Sequence, residues 1–260
     1  MRIIYDNALY RCSTITASTT DSGFNVENLK NNYKSMVHRS SSHTVTYTLN
    51  WTTAETITGV ALPATNLVDG STISINGAAA TTACLGRTVK FTDGSTQPTY
   101  KHFAFGGATK TSFWFSSPIT VTQLSIVLNL PTSSGKIDCS TIVCGKAWHS
   151  SRTASNGITI GTEDSSQVSL TRTGNTYIDR RFINETMNFN LQYINDDDRR
   201  ELLHILRTWG TSGFIYVCVF PDNTNPELTQ TYSIYGRNTN SQIEYAIHSL
   251  YNTSLNITGW

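Results

Sequence analysis

The chain has 260 residues with a formal net charge of +1, and only 14% of them are charged. Charge this balanced argues against a dominant nucleic-acid or anionic-membrane partner, and no segment approaches the roughly 20 consecutive apolar residues of a spanning helix. Ser, Thr, Asn and Gly fill the gaps between apolar residues, a composition suited to a β protein with many turns, and the length allows one large or two small domains, of which two are expected.

The opening, Met1 to Cys12, lacks the long apolar run of a secretory signal, so a protein made in a cytosol is expected. Strand character starts at Arg2 to Tyr5 and returns at Tyr10 to Ala17. Asp21-Ser-Gly23 reads as a turn, and Phe24, Val26, Leu29 and Tyr33 as a short helical turn anchoring apolar side chains. Val45, Tyr47, Leu49 and Trp51 then alternate on one face, which predicts a strand over 44–51. A second strand is expected over 56–62 and a third at Ile73 and Ile75, ending at the hairpin dipeptide Asn76-Gly77. Short strands follow at Thr88 to Phe91, His102 to Phe105 and Phe113 to Phe115, with stronger ones at Val121 to Leu130 and Thr141 to Trp148. This spacing predicts an antiparallel β-sandwich of jelly-roll type over 1–148.

The polar stretch Ser150 to Gly157 marks the expected boundary, and 149–260 is read as a small β-sheet or split barrel crossed by one α-helix. Thr186 to Ile194 alternates Met187, Phe189, Leu191 and Tyr193 against polar neighbours. Next, Asn195 or Asp196 caps a helix over about 196–209, with Asp197 and Asp198 favoured in its first turn. Leu202, Ile205, Leu206 and Trp209 form its apolar stripe and Gly210 its stop. Phe214 to Phe220 reads as a strand buried on both sides, ended by Pro221. Strands over Thr229 to Tyr235 and Ile243 to Leu255 complete the unit.

Chemistry is sparse. Nucleophile elbows, zinc-helix motifs and phosphate loops are missing; Gly106 to Thr111 and Gly135-Lys136 fit Gly-rich turns. Cys12, Cys84, Cys139, Cys144 and Cys218 are odd in number and scattered, which suits reduced thiols; Cys139 and Cys144 lack a second ligand pair. Asp196 to Asp198 are consecutive, which suits helix capping better than calcium. The six histidines lie in different elements, His204 on the helix. Trp51, Trp114, Trp148, Trp209 and Trp260 fit core filling better than sugar stacking. No catalytic residue, cofactor or metal ligand is therefore assigned. Carboxylate pairs for glycoside cleavage depend on distance in space, so a cell-wall or capsule hydrolase stays as an alternative.

Ala17-Ser-Thr-Thr-Asp-Ser-Gly-Phe24, Val26-Glu-Asn-Leu29 and His38-Arg-Ser40 resemble the start of tail proteins of long-tailed bacteriophages, which open with a discoidin-like sandwich; His38 stands where that pattern has Trp. Phe189-Asn-Leu191, the acidic cap, the helix, Gly210, Val219-Phe-Pro221 and the strand ending at Trp260 are similar to their closing block. The resemblance implies a non-enzymatic distal tail or baseplate protein of the virion. It further implies a homo-oligomeric ring of six copies at the tail tip, with the tail tube, hub and receptor-binding fibres as partners. A carbohydrate-binding module using Trp114 or Tyr100 is the alternative.

Overall fold

The computed structural model describes residues 1–67, 71–76, 88–90, 96–98, 109–131, 135–152, 154, 157–170, 172–223, 226–240, 242–247 and 250–260. The fold is mainly β, with antiparallel sheets and one long helix, as expected. In chain order come β1 (Arg2–Ile4), β2 (Thr14–Ala17), β3 (His38–Arg39), β4 (Thr44–Thr65), β5 (Thr72–Ile75), β6 (Thr88–Lys90), β7 (Thr96–Pro98), β8 (Thr109–Asn129), β9 (Asp138–Cys139) and β10 (Val143–Gly145). There follow β11 (Ala147–His149), β12 (Thr159–Asp164), β13 (Gln167–Leu170), β14 (Thr176–Asp179), β15 (Ile183–Ile194), α1 (Asp196–Trp209), β16 (Phe214–Cys218), α2 (Pro226–Thr231), β17 (Ser233–Asn238), β18 (Ile243–Ile247) and β19 (Leu250–Gly259).

The first sheet runs β3-β9-β4-β8-β5, with β2 and β10 also pairing β4. The strands expected over 44–51 and 56–62 are one strand, because β4 continues through register shifts against β8 at Asn50/Glu55, Ile57/Gly59 and Leu62/Thr65. These irregularities let one long ladder bend around a single core, in which Tyr47, Leu49, Ile57, Leu124 and Ile126 are fully buried. Trp51 lies in that core and donates Nε1–H to the Ala8 carbonyl at 2.8 Å. Leu29 is buried from a 3₁₀ turn at Val26–Lys30, whereas Tyr33 points outward at 67% exposure rather than anchoring it. The expected strand at 102–105 lies outside the described residues.

His38, in the Trp position of the resemblance, is fully buried, its Nδ1 2.9 Å from the Tyr47 hydroxyl and its Nε2 3.2 Å from Thr20 Oγ1. Burial lowers its pKa below the ordinary 6.5, against the opposing pull of Asp138. The unfolded chain therefore takes up this proton first, so the stability His38 confers is full above about pH 6.5 and declines as pH falls toward the lowered value. Urea unfolding across about pH 7 to 5 is expected to show a smaller loss in His38→Gln than in the parent chain; equal losses would refute the assignment.

The second sheet runs β11-β1-β16-β17-β19-β15-β12, with β18 also on β19. Its first strand comes from the other end of the chain. Met1 to Ile4 falls outside the expected 1–148 unit, because β1 lies between β11 and β16 in antiparallel register, with Ile3 opposite Trp148 and Val217. The sandwich is thus an insertion between β1 and β11, two strands that pair with each other. Alternation then divides the sheet's residues. Ile3, Ile215, Val217 and Ile234 pack in one core with Leu202, Ile205 and Leu206 of α1; Ile4, Tyr216, Cys218 and Tyr235 pack on the opposite face with Ala61 and Val143 of the sandwich. This is why 214–220 reads as buried on both sides.

Helix α1 has the expected bounds. Asn195 caps it, accepting from Asp198 N at 2.8 Å, and Gly210 follows at φ +53. Asp196 pairs with Arg199 and Arg200, while buried Asp198 accepts from the Ser151 amide at 3.1 Å and also from its hydroxyl, tying 150–151 to the helix. Three expectations need correction. The alternation in β15 breaks at a bulge between Leu191 and Ile194, so Ile194 is buried and Tyr193, at φ +58, is half exposed. Residues 229–231 are helical, with Pro226 opening α2 where its missing N–H costs nothing. Finally, 243–255 is a hairpin of β18 and β19, which sets Tyr245 opposite Tyr251.

Candidate functional site

Two surfaces stand out. The first is the hairpin β13-β14, whose two strands pair only with each other among the described residues. Val168 faces Ile178 across the ladder, and Leu170 lies on the same face two residues along. These side chains are 60–74% exposed, and Tyr177 on the other face is 62% exposed. A two-stranded ribbon is marginal alone in water, and contiguous apolar surface of this kind marks an interaction site. Large apolar side chains on both faces leave the hairpin without a core.

The second is an open cleft of about 530 Å³ between the sandwich and the second sheet. Residues 32–35 form one wall; Arg181, Phe182, Asn184, Phe214, Arg237 and Trp260 belong to the other. Its seam is built. Tyr10 and Tyr235 both donate hydroxyl protons to Asn32 Oδ1, at 2.7 and 2.8 Å, Trp260 Nε1–H donates to the Asn32 carbonyl, and Lys34 Nζ donates to the Trp260 carbonyl at 3.2 Å. Beside it Lys110 contacts Glu185 and donates to the Ser233 carbonyl at 2.9 Å. Burial lowers the pKa of Lys34, with Glu185 opposing and Lys110 reinforcing the shift.

Of the residues weighed for chemistry in the sequence, Trp260 lines the cleft, and the described cysteines and histidines line neither surface. Cys12, Cys139, Cys144 and Cys218 are separate buried thiols, and burial raises the pKa of each, so none is poised as a thiolate. Cys84 lies outside the described residues. No three His, Cys, Asp or Glu side chains gather into a metal-sized group among the described residues. His204 is exposed on α1. Trp114 is half-buried at the junction: its Nε1 is buried, its ring sits 6.4 Å from that of Tyr216, and Arg2 lies over it at 5.4 Å. Tyr100 lies outside the described residues. Trp148 and Trp51 fill cores, in line with the preference for packing.

No protein-family model and no curated protein matches the chain. Solved structures match about half of it. A chitosan-binding module from a chitosanase/glucanase of Paenibacillus sp. IK-5 is 14% identical with a TM-score of 0.38, over 55% of this chain and 100% of that one. A fucosidase of Ruminococcus gnavus matches at 12% and 0.36, over 55% of this chain and 27% of its own. A family 32 carbohydrate-binding module of C. perfringens, in complex with galactose, matches at 9% and 0.33, over 50% and 91%. None of these three is a phage tail protein.

Proposed function

We propose that the chain is a structural subunit that assembles with copies of itself, as part of the tail-tip ring of a long-tailed bacteriophage that its sequence pattern resembles. The observation that carries this is the exposed apolar hairpin at 167–179, which has no core of its own; in this reading a neighbouring subunit covers it. In this reading the sheet and α1 form the rigid base, the sandwich projects from it, and no step of chemistry is required. The tail tube, the hub and the receptor-binding fibres are its partners in the virion. The resemblance implies six copies.

Light scattering tests the assembly. The parent chain is expected at a multiple of its single-chain mass, and Val168→Asp with Ile178→Asp at that mass alone with its fold intact. A monomeric parent would refute the reading. Antibody to the chain should label tail tips of intact particles in negative stain; scattered label would end the tail assignment.

Carbohydrate recognition is the second reading. The cleft of aromatic, cationic, hydroxyl and amide side chains favours it. The two readings are compatible, since an assembly subunit can also carry a binding site.

A further inference from the structure

The cleft between residues 32–35 and the second sheet has a one-sided electrostatic character. Lys34, Arg181 and Arg237 line it, and no Asp or Glu does among the described residues. Arg181 is held by Asp179, 3.0 Å from its Nε. Arg237 is exposed and has no carboxylate partner among the described residues. A guanidinium left open at the edge of an apolar cleft favours an anion, and forks onto carboxylate or phosphate oxygens.

Two aromatic rings are left open to solvent at the same place, Tyr33 at 67% and Phe182 at 50% exposure. Phe182 has no polar tip to justify that exposure, and its face offers a flat apolar surface. Short polar side chains, Ser35, Asn184 and Ser212, line the same cleft. Flat rings, short hydroxyl and amide groups and a fork-shaped cation together match a sugar ring that carries an acid.

The backbone decides between such a sugar and an acidic peptide. A peptide usually gains affinity by adding a strand to an open sheet edge. The strands lining this cleft offer no long open edge: Arg237 is paired on both sides, by Phe214 and Thr258, while Phe214 pairs only with β17, Ile183 and Asn184 only with β12 and Gly259 only with Gly236, which leaves too few consecutive free positions to seat an added strand. Recognition here must come from side chains.

We propose that this cleft binds an acidic saccharide, with Phe182 and Tyr33 stacking on the sugar ring and Arg237 pairing with its carboxylate or phosphate. The assignment rests on the carbohydrate reading and is independent of ring assembly. It moves recognition away from Trp114 to the seam between the two units.

Titration calorimetry on the full chain tests it, with trigalacturonate against its methyl ester, sialyllactose against lactose, and hexaglutamate as the peptide control. One acidic sugar is expected to bind saturably and at least about tenfold more tightly than its neutral partner, and to weaken with added salt. Arg237→Gln and Phe182→Ala, both at exposed positions, should each cost about tenfold while melting as the parent does. Binding that survives both variants, or that ignores the charge, would overturn the cleft assignment and leave the carbohydrate reading standing. Binding of hexaglutamate in preference to every sugar would make the site a peptide site. Failure of every sugar would overturn the cleft assignment and the carbohydrate reading together.

Discussion

Trp148→Ala is expected to lower the unfolding free energy by about 3–5 kcal/mol, the range for deleting a large buried aromatic. Trp148 is 2% exposed and among the largest fully buried side chains. It sits on β11 opposite Ile3 and packs in the core that Met1, Ile3 and Val217 share with α1. The cavity cannot collapse cheaply, because β1 is clamped between β11 and β16 and cannot follow the missing ring. At about 2–4 °C per kcal/mol for a chain of this size, the melting midpoint should fall by roughly 10 °C. Urea unfolding followed by circular dichroism checks it. A loss below about 1 kcal/mol would mean that Met1 to Ile4 does not close the core over this residue.

Gly145→Ala should cost about 3 kcal/mol, the upper end for overpacking, because the obstacle is main chain and cannot rotate away. A Cβ on Gly145 would lie 2.2 Å from the Asp6 carbonyl oxygen. At this point the chain leaving β1 crosses the chain leaving the sandwich. In the adjoining ladder Gly145 faces Gly59, where a Cβ would meet the Trp114 ring at 2.3 Å. The Thr58 hydroxyl, donating to the Gly145 carbonyl at 3.0 Å, fixes the same crossing. Forcing these segments apart loosens the seam between the two units. Limited proteolysis should therefore cut the variant between them faster than the parent, alongside the lower midpoint. A variant that melts within a degree of the parent would contradict the close approach.

Helix α1 was legible because its cap, stripe and stop all lie between Asn195 and Gly210, where local preferences agree. The strand after it was legible because its unbroken apolar run has both faces covered in the fold. The place of β1 was not: a three-residue strand carries no mark of its partners, and these lie at 147–149 and 216–218. The pairing of β18 with β19 was hidden because Tyr245 and Tyr251 keep the alternation going and no Asn-Gly type of dipeptide interrupts it. Helix α2 begins at Pro226, but the Thr- and Tyr-rich run behind it favours a strand by residue type. For the surfaces the contrast is sharper. Val168, Leu170 and Ile178 are ordinary strand formers by residue type, and their exposure shows only in the fold, where β13 and β14 pair only with each other among the described residues. The cleft joins Tyr33, Phe182 and Arg237, which are too far apart in sequence to signal one another.

Hydrogen exchange of the amides in β13 and β14, followed over a range of protein concentrations, tests most directly whether the hairpin is where copies meet. The account predicts slow exchange in the assembled protein and fast exchange on dilution or in Val168→Asp with Ile178→Asp, while α1 stays protected throughout. Assembly that forms while these amides exchange freely at every concentration would contradict it.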